Sequence, residues 1–295
     1  MEDTKTVTDY ITVSRKGVWL GNESSDWFDP DNWSCGEVPD MSGSIFSVII
    51  SSSATYDPDI SSDGARVRDI EIENGATLSI INGATLNVYG NWYNHGDFSS
   101  GNSTVVFRGD DAQIAGNTVT SFDNLQIITG KQLTASTDSL DIRGDFIADG
   151  TFLHNNAKVS FTGTASQQIS GTADSLIFHN LIVDKQNGDL NLARHIDIAS
   201  YLTLTEGIVN SSASELLRIM DDADSDQGSD TAYVDGPVQK TGNEAFTFPT
   251  GNKGVWAPIA ITAPAVESDV FTAQYFYTGH PEAGNDPCSN CTGDI

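Results

Sequence analysis

Residues 86–109 read LNVYGNWYNHGDFSSGNSTVVFRG, and residues 140–163 read LDIRGDFIADGTFLHNNAKVSFTG. At one constant offset, Gly90, Gly96, Phe98, Phe107 and Gly109 find their counterparts in Gly144, Gly150, Phe152, Phe161 and Gly163. From Gly116 to Gly171 the offset has grown by one position, and by the pairs Phe122 with Phe178, Asn124 with Asn180 and Leu125 with Leu181 it has grown by one more. A fainter third copy pairs Leu140, Ile142, Phe146 and Gly150 with Ile196, Ile198, Leu202 and Gly207. Glycines and apolar positions persist while polar residues change freely. A unit that stacks on its own copies has to keep its corners and its core in this way. The slow drift of the offset fits short loop insertions between conserved rungs.

Within the unit the pattern is that of strands. In VRDIEIENGATLSIINGATLNVYG, residues 67–90, Ile70, Ile72, Leu78, Ile80, Leu86 and Val88 alternate with polar neighbours, the period of a strand with one buried face. NGATLSI begins at Asn74 and NGATLNV at Asn82, so strand and corner also recur on a finer scale. Two all-β topologies satisfy this reading: a parallel β-solenoid, or tandem antiparallel β-sandwiches built from hairpins. Regular glycine corners over three copies favour the solenoid. On that account matching positions such as Phe107 and Phe161 point into one dry column.

The units divide as residues 1–64, an N-terminal segment and solenoid cap; 65–219, the repeats; and 220–295, a small antiparallel β domain and tail. Residues 1–16 are polar and read as loosely held. Trp19, Trp27 and Trp33 then crowd into GVWLGNESSDWFDPDNWSCGEVPD, and large aromatics of this kind can seal the open end of a coil stack. Beyond Asp221 come longer strands rich in Tyr, Phe and Trp. The tail HPEAGNDPCSNCTGDI ends without a cap, an expectation that the natural chain continues.

Composition excludes several function classes. Lys and Arg number 14 against 41 Asp and Glu, a formal charge of −27, so there is no basic patch for nucleic acid or for an anionic membrane. No run of apolar residues is long enough to predict membrane insertion. Most of the acids are Asp, which suits turns and caps rather than helix interiors. Three cysteines, Cys35, Cys288 and Cys291, are too few for a disulfide scaffold, and the CSNC pair lacks the second pair a metal knuckle needs.

The motifs from Gly17 to Tyr277, namely the Trp-rich entry, the repeated GNW…G.F…STVVF.G…F.NL.I frame and the closing YVDGPVQKTGNEAFTFPTGNKGVWAPI, resemble large secreted surface proteins of Bacteroidota. The resemblance implies export of the type IX kind, an extracellular or cell-surface setting and a β-rich stalk or adhesive role. It implies no particular activity.

Site candidates are few. In DDADSDQGSD, Asp222, Asp224, Asp226 and Asp230 have a spacing that lets alternate carboxylates meet on a calcium ion, although the glycine and final glutamate of an EF-hand loop are missing. Trp27 and Trp92 are candidate stacking surfaces for glycan rings. Asp141 with Asp145, or Asp184 with Asp189, would be the acid–base pair of a polysaccharide lyase or hydrolase. The two RGD triplets, Arg108–Asp110 and Arg143–Asp145, occupy different positions of the repeat, and each glycine is already explained as a corner. DSL at Asp138 and Asp174 and DTA at Asp230 resemble short O-glycosylation acceptors of the same phylum. The expectation is therefore an extracellular structural or adhesive module without catalysis, a stalk, adhesin or filament former, whose partners are surface proteins, surface glycans or copies of itself. The alternatives are a carbohydrate-binding module and a polysaccharide-cleaving enzyme.

Overall fold

A computed structural model of the chain describes residues 16–40, 45–137 and 139–278. Strands dominate it, with a single 3-10 turn at Pro30–Asn32 among the described residues. The chain winds as a three-sided parallel coil. It crosses face A at Ile70–Ile72, face B at Thr77–Ile80 and face C at Thr85–Val88, then returns to face A at Trp92–Asn94 with Ile70 opposite Trp92. On face C the ladder runs from Ala65–Val67 to Thr250–Asn252 in nine steps, every one parallel, giving about nine turns. This is a β-solenoid, and the sandwich alternative falls because no neighbouring coils within the stack run in opposite directions.

The alternation read from sequence holds because each strand is wet on one side only. Ile70, Ile72, Leu78, Ile80, Leu86 and Val88 are fully buried, while the residues between them are partly open. Parallel sheets covered on both faces lose that alternation, but a solenoid has one dry face. One coil cannot bury these side chains by itself. Its neighbours above and below complete the core, which is why the ladder must be long.

Phe107 and Phe161 do not share a column. Phe107 lies on face C opposite Val88 and Ile127, whereas Phe161 lies on face B opposite Ile142 and Val183. The coil here is short: Val105 sits opposite Leu125 and Leu125 opposite Phe146, so each of those intervals is one full circuit. The stretch from Phe107 to Phe161 therefore covers two circuits and most of a third, and it carries a residue onto the preceding face. The echo is real, but it is a rotated one. Trp92, Phe98, Phe122 and Phe107 form an aromatic cluster with centroid separations of 4.7 Å (Trp92–Phe98), 5.7 Å (Phe98–Phe122) and 6.2 Å (Phe107–Phe122). Phe146, Phe152, Phe178 and Phe161 repeat it one face back at 5.3, 5.8 and 6.4 Å. The glycines repeat too: a Cβ on Gly116 would meet the backbone of Asn94, and one on Gly171 the backbone of Ala148.

Both ends are elaborated. Before the first complete coil, Lys16–Trp19 pairs in parallel with Ser47–Ile50 on face A, Asp26 bridges Asp59 on face B and Asp40 bridges Ala65 on face C. The entry segment thus follows the coil path on faces A and B, meets face C antiparallel at Asp40, and closes the end with indoles: Trp27 and Trp33 meet edge to face at 4.7 Å, and Trp33 Nε1 donates to the Trp27 carbonyl at 2.9 Å. At the other end the chain reverses and retraces the three faces. Val255–Trp256 pairs antiparallel on face C, Ile259–Ile261 on face B and Val270–Ala273 on face A. These are the expected small antiparallel elements. The parallel ladders themselves run past residues 65 and 219 in both directions, since Ser47–Ile50 and Ala232–Asp235 are rungs. Cys288, Cys291 and the tail lie outside the described residues, as does Asp138; Cys35 is a half-buried free thiol.

Candidate functional site

The corners of the coil carry nearly all the polar chemistry, and their first use is structural. A short side-chain carbonyl placed at a corner reaches the backbone N–H of the next coil. Asp69 Oδ1 accepts from Asn91 N at 2.9 Å, and Asn91 Oδ1 accepts from Gln113 N at 3.0 Å. One face back, Asn124 accepts from Asp145 N at 2.9 Å and Asp145 accepts from Gln168 N at 2.8 Å. Burial raises the Asp69 pKa, but the Asn91 amide, the Ser47 hydroxyl and Arg68 together outweigh it and hold the carboxyl below its ordinary range.

A concavity lies along the corner between faces B and C. It encloses about 560 Å³ and is lined by Asn102, Asp123, Arg143, Thr162, Thr164 and Asp184, among others. Phe122, Ile142, Phe161 and Val183 stack on successive coils of face B, so Asp123, Arg143, Thr162 and Asp184 follow on four consecutive rungs. Burial raises the Asp123 pKa and Asp145 adds to the rise, against the Arg143 charge. Arg143 Nε pairs with Asp141 at 3.0 Å, and Asp141 also accepts the Thr162 hydroxyl at 2.6 Å. Beneath the groove wall Lys185 is fully buried, and its ammonium donates to Gly163 O at 2.8 Å, Ala165 O at 2.7 Å and Gln167 Oε1 at 2.6 Å. Burial lowers its pKa to about 8. Nothing in the sequence pattern marked Lys185; it stands at the end of an ordinary apolar run.

The carboxylate pairs proposed for catalysis are occupied elsewhere. Asp145 holds Gln168 N, and Asp189 Oδ2 accepts from Asn210 at 3.2 Å. Asp123 and Asp184 do face one groove, but three rungs separate them, about 14 Å at the usual strand spacing. The two carboxyls of a glycosidase stand about 5–9.5 Å apart.

Trp27 and Trp92, the candidate stacking surfaces, are packed inside the coil. Both are fully buried, Trp27 under the lid and Trp92 in the aromatic cluster, so neither indole face can meet a sugar ring. The acidic loop is also arranged differently from a calcium loop. Asp226 accepts from the Tyr201 hydroxyl and Leu204 N, both at 2.9 Å, and Asp224 accepts from Ser225 N at 2.8 Å. Asp222 converges instead with Asp221 and Glu244, while Asp224, Asp226 and Asp230 stay outside that group. Lys240, itself buried, reaches in to pair with Glu244 at 2.9 Å and donates to Met220 O at 2.8 Å. An ammonium therefore supplies the positive charge there. The RGD triplets are likewise tied down: Arg108 donates to Asn87 at 2.6 Å and Asp110 pairs with Lys131 at 2.6 Å.

A family model described as a domain of unknown function, DUF8693, matches residues 18–127, the lid and the coils as far as the Asn124–Ile127 rung. No curated protein and no solved structure matches the chain. No helix among the described residues is long and apolar enough to cross a membrane.

Proposed function

We propose that this chain is a structural module of an extracellular surface protein, a stiff spacer of the stalk or adhesin kind that does no chemistry of its own. The observation that carries the reading is the uninterrupted nine-step parallel ladder. Each coil is bonded to the next through backbone on face C, most coils are also bonded so on faces A and B, and side chains join them at the corners, so bending the rod requires breaking several rungs together. A surface of net charge −27 keeps such a rod soluble, and the separation of Asp123 from Asp184 favours a non-catalytic role. The resemblance to secreted Bacteroidota proteins supplies the surface setting.

The groove over Asp123, Arg143 and Thr162 favours a second reading, a glycan-binding corner in which hydroxyls and amides on successive rungs meet a linear chain. One experiment separates the readings. The purified chain is run on a glycan array and against a panel of polysaccharides, with X-ray scattering to report its shape. An elongated particle that releases no reducing or unsaturated ends supports the spacer. Saturable glycan binding lost in Arg143→Ala supports the corner site, and released product would overturn the non-catalytic reading.

A further inference from the structure

The two ends of the rod are not equivalent. At the N-terminal end the outer edge of Lys16–Trp19 is covered by the lid: Trp33 bridges Trp19, and Ser34 N donates to Val18 O at 2.9 Å. At the C-terminal end Val270–Ala273 pairs with Val238–Thr241 on one side only, and among the described residues no strand lies on its other edge. The closing strands read VW, IAI and VFTA, without a charged residue. Four of the nine exposed large apolar side chains among the described residues belong to this end: Ile259 (38%), Val266 (51%), Val270 (54%) and Tyr277 (56%). Natural sheets protect such edges with Lys, Pro or bulges, and an unprotected apolar edge invites another strand.

The sequence that follows carries no strand pattern. HPEAGNDPCSNCTGDI contains two prolines and two glycines and has no alternating apolar run. The residues preceding Lys16 do have the pattern. Residues 6–13 read TVTDYITV, β-branched or aromatic at every position but one, and are bracketed by Lys5 and Arg15. Val270–Ala273 is preceded by Glu267 and Asp269, charges opposite to that bracket. The leading segment enters the rod at face A, and Val270–Ala273 closes face A at the far end. Copies stacked end to end with their faces in line therefore bring segment and edge together. Fully extended, that segment spans about 26 Å, ample for one face.

We propose that residues 6–13 of a second copy add as a strand to the open Val270–Ala273 edge, joining rods head to tail. This junction rests on the spacer reading, to which it assigns a partner, and it is a main-chain interaction whose specificity comes from the alternating side chains. The test is sedimentation velocity of the full chain over a range of concentrations. The expected result is reversible association with more than two copies at the highest loading. Deleting residues 1–13 and, separately, Val270→Lys should each weaken association at least about tenfold, because a lysine on an edge disfavours pairing. Val270 is exposed, so its replacement leaves the fold intact, which circular dichroism checks. A synthetic peptide of residues 4–15 should bind the deleted chain and not its Val270→Lys form. A full chain that stays monomeric, or association that survives the deletion, overturns the junction. Association that appears only after residues 279–295 are removed shows that the chain's own tail covers the edge, and overturns it as well. An elongated monomer sinks the junction while leaving the spacer reading standing.

Discussion

Substituting alanine at Gly116 and at Gly171 tests the coil stack and its rotated repeat together. Gly116 has φ +122°, and a Cβ there would lie 1.9 Å from Asn94 O and 2.6 Å from Asn94 C and N; Gly171 has φ +115°, with Ala148 O at 2.2 Å and Ala148 C at 2.3 Å. No side-chain rotation relieves these contacts, because every atom involved is backbone of the coil before. Relief means lifting the corner, which loses the bonds from Asn117 N and Thr118 N to Asn94 O at 3.1 and 3.2 Å in the first case, and from Ala173 N to Ala148 O at 3.1 Å in the second. Positive φ costs a non-glycine residue about 1–2 kcal/mol, each lost bond about 0.5–1.5 kcal/mol, and backbone displacement adds to both. Before the displacement is counted these come to about 2–5 kcal/mol at Gly116 and about 1.5–3.5 kcal/mol at Gly171, among the larger effects single substitutions produce. Gly130 is the control: its φ is +73° but a Cβ would meet nothing within 4 Å, so only the conformational cost of about 1–2 kcal/mol applies. Urea unfolding followed by circular dichroism should rank Gly116→Ala and Gly171→Ala together, well below Gly130→Ala. If Gly116→Ala is no worse than Gly130→Ala, coils do not touch there. If Gly116→Ala and Gly171→Ala differ widely, the two corners are not copies.

Lys185→Met strands three acceptors, Gly163 O, Ala165 O and Gln167 Oε1, at about 1–3 kcal/mol each, so a loss of at least about 3 kcal/mol in urea midpoint analysis is expected; an unchanged midpoint would show that the ammonium is not holding the corner. Trp92→Ala empties the aromatic cluster and should cost about 3–5 kcal/mol by the same assay, and a variant as stable as the parent would contradict its burial. His154 is held below the ordinary histidine range by burial and then by the charge of neighbouring His179. The unfolded chain therefore takes up that proton first, and stability declines as pH drops below about 6.5 toward the folded value; His154→Gln should flatten the slope of Tm between pH 7 and pH 5, and an unaltered slope assigns the decline to other groups. Because Asp222, Asp224, Asp226 and Asp230 do not converge, and Lys240 already pairs with Glu244 in the group that does, a chelator should leave Tm where it is; a downward shift that Asp224→Asn abolishes would restore the calcium loop.

The fold was legible in the sequence because a solenoid writes its two demands, inward apolar residues and tight corners, into every coil. Alternation at Ile70, Ile72, Leu78 and Ile80 gave the dry face, and the paired glycines gave the corners. What the spacing concealed was the pitch. The match of Gly90 with Gly144 looks like one structural unit, yet a circuit as short as Val105 to Leu125 fits into that interval more than twice. Only the strand register shows that the match steps from one face to the preceding one. The tryptophan-rich lid was readable as an end seal, since three indoles among Asp, Asn and Pro have no reason to gather on a wet strand. Trp92 was misread for a related reason: an aromatic beside a corner glycine looks exposed until Phe98 and Phe122 close over it. Buried Lys185 and Lys240 were invisible, because Gly163 O, Ala165 O and Met220 O, which help to hold them, are backbone carbonyls one coil earlier, and carbonyls leave no trace in sequence.

The preference for Asp over Glu has the same geometric origin, and it changes what the acidity means. Adjacent coils are about 4.8 Å apart, and a corner acceptor must cross that gap without slack. Asp57, Asp63, Asp69, Asp145, Asp149 and Asp226 each bond a backbone N–H of a neighbouring coil in this way. Asn91 and Asn124 make the same bond with a neutral amide of the same length. The corner therefore selects reach, not charge, and negative charge accumulates as a by-product of choosing the shorter acid. A dense run of Asp in such a chain is first a sign of coil corners. The acidic loop at Asp221–Asp226 conforms, with Asp226 bonding back to Leu204 and Lys240 serving the group beside it, so neither the composition nor that loop is by itself a sign of a bound cation.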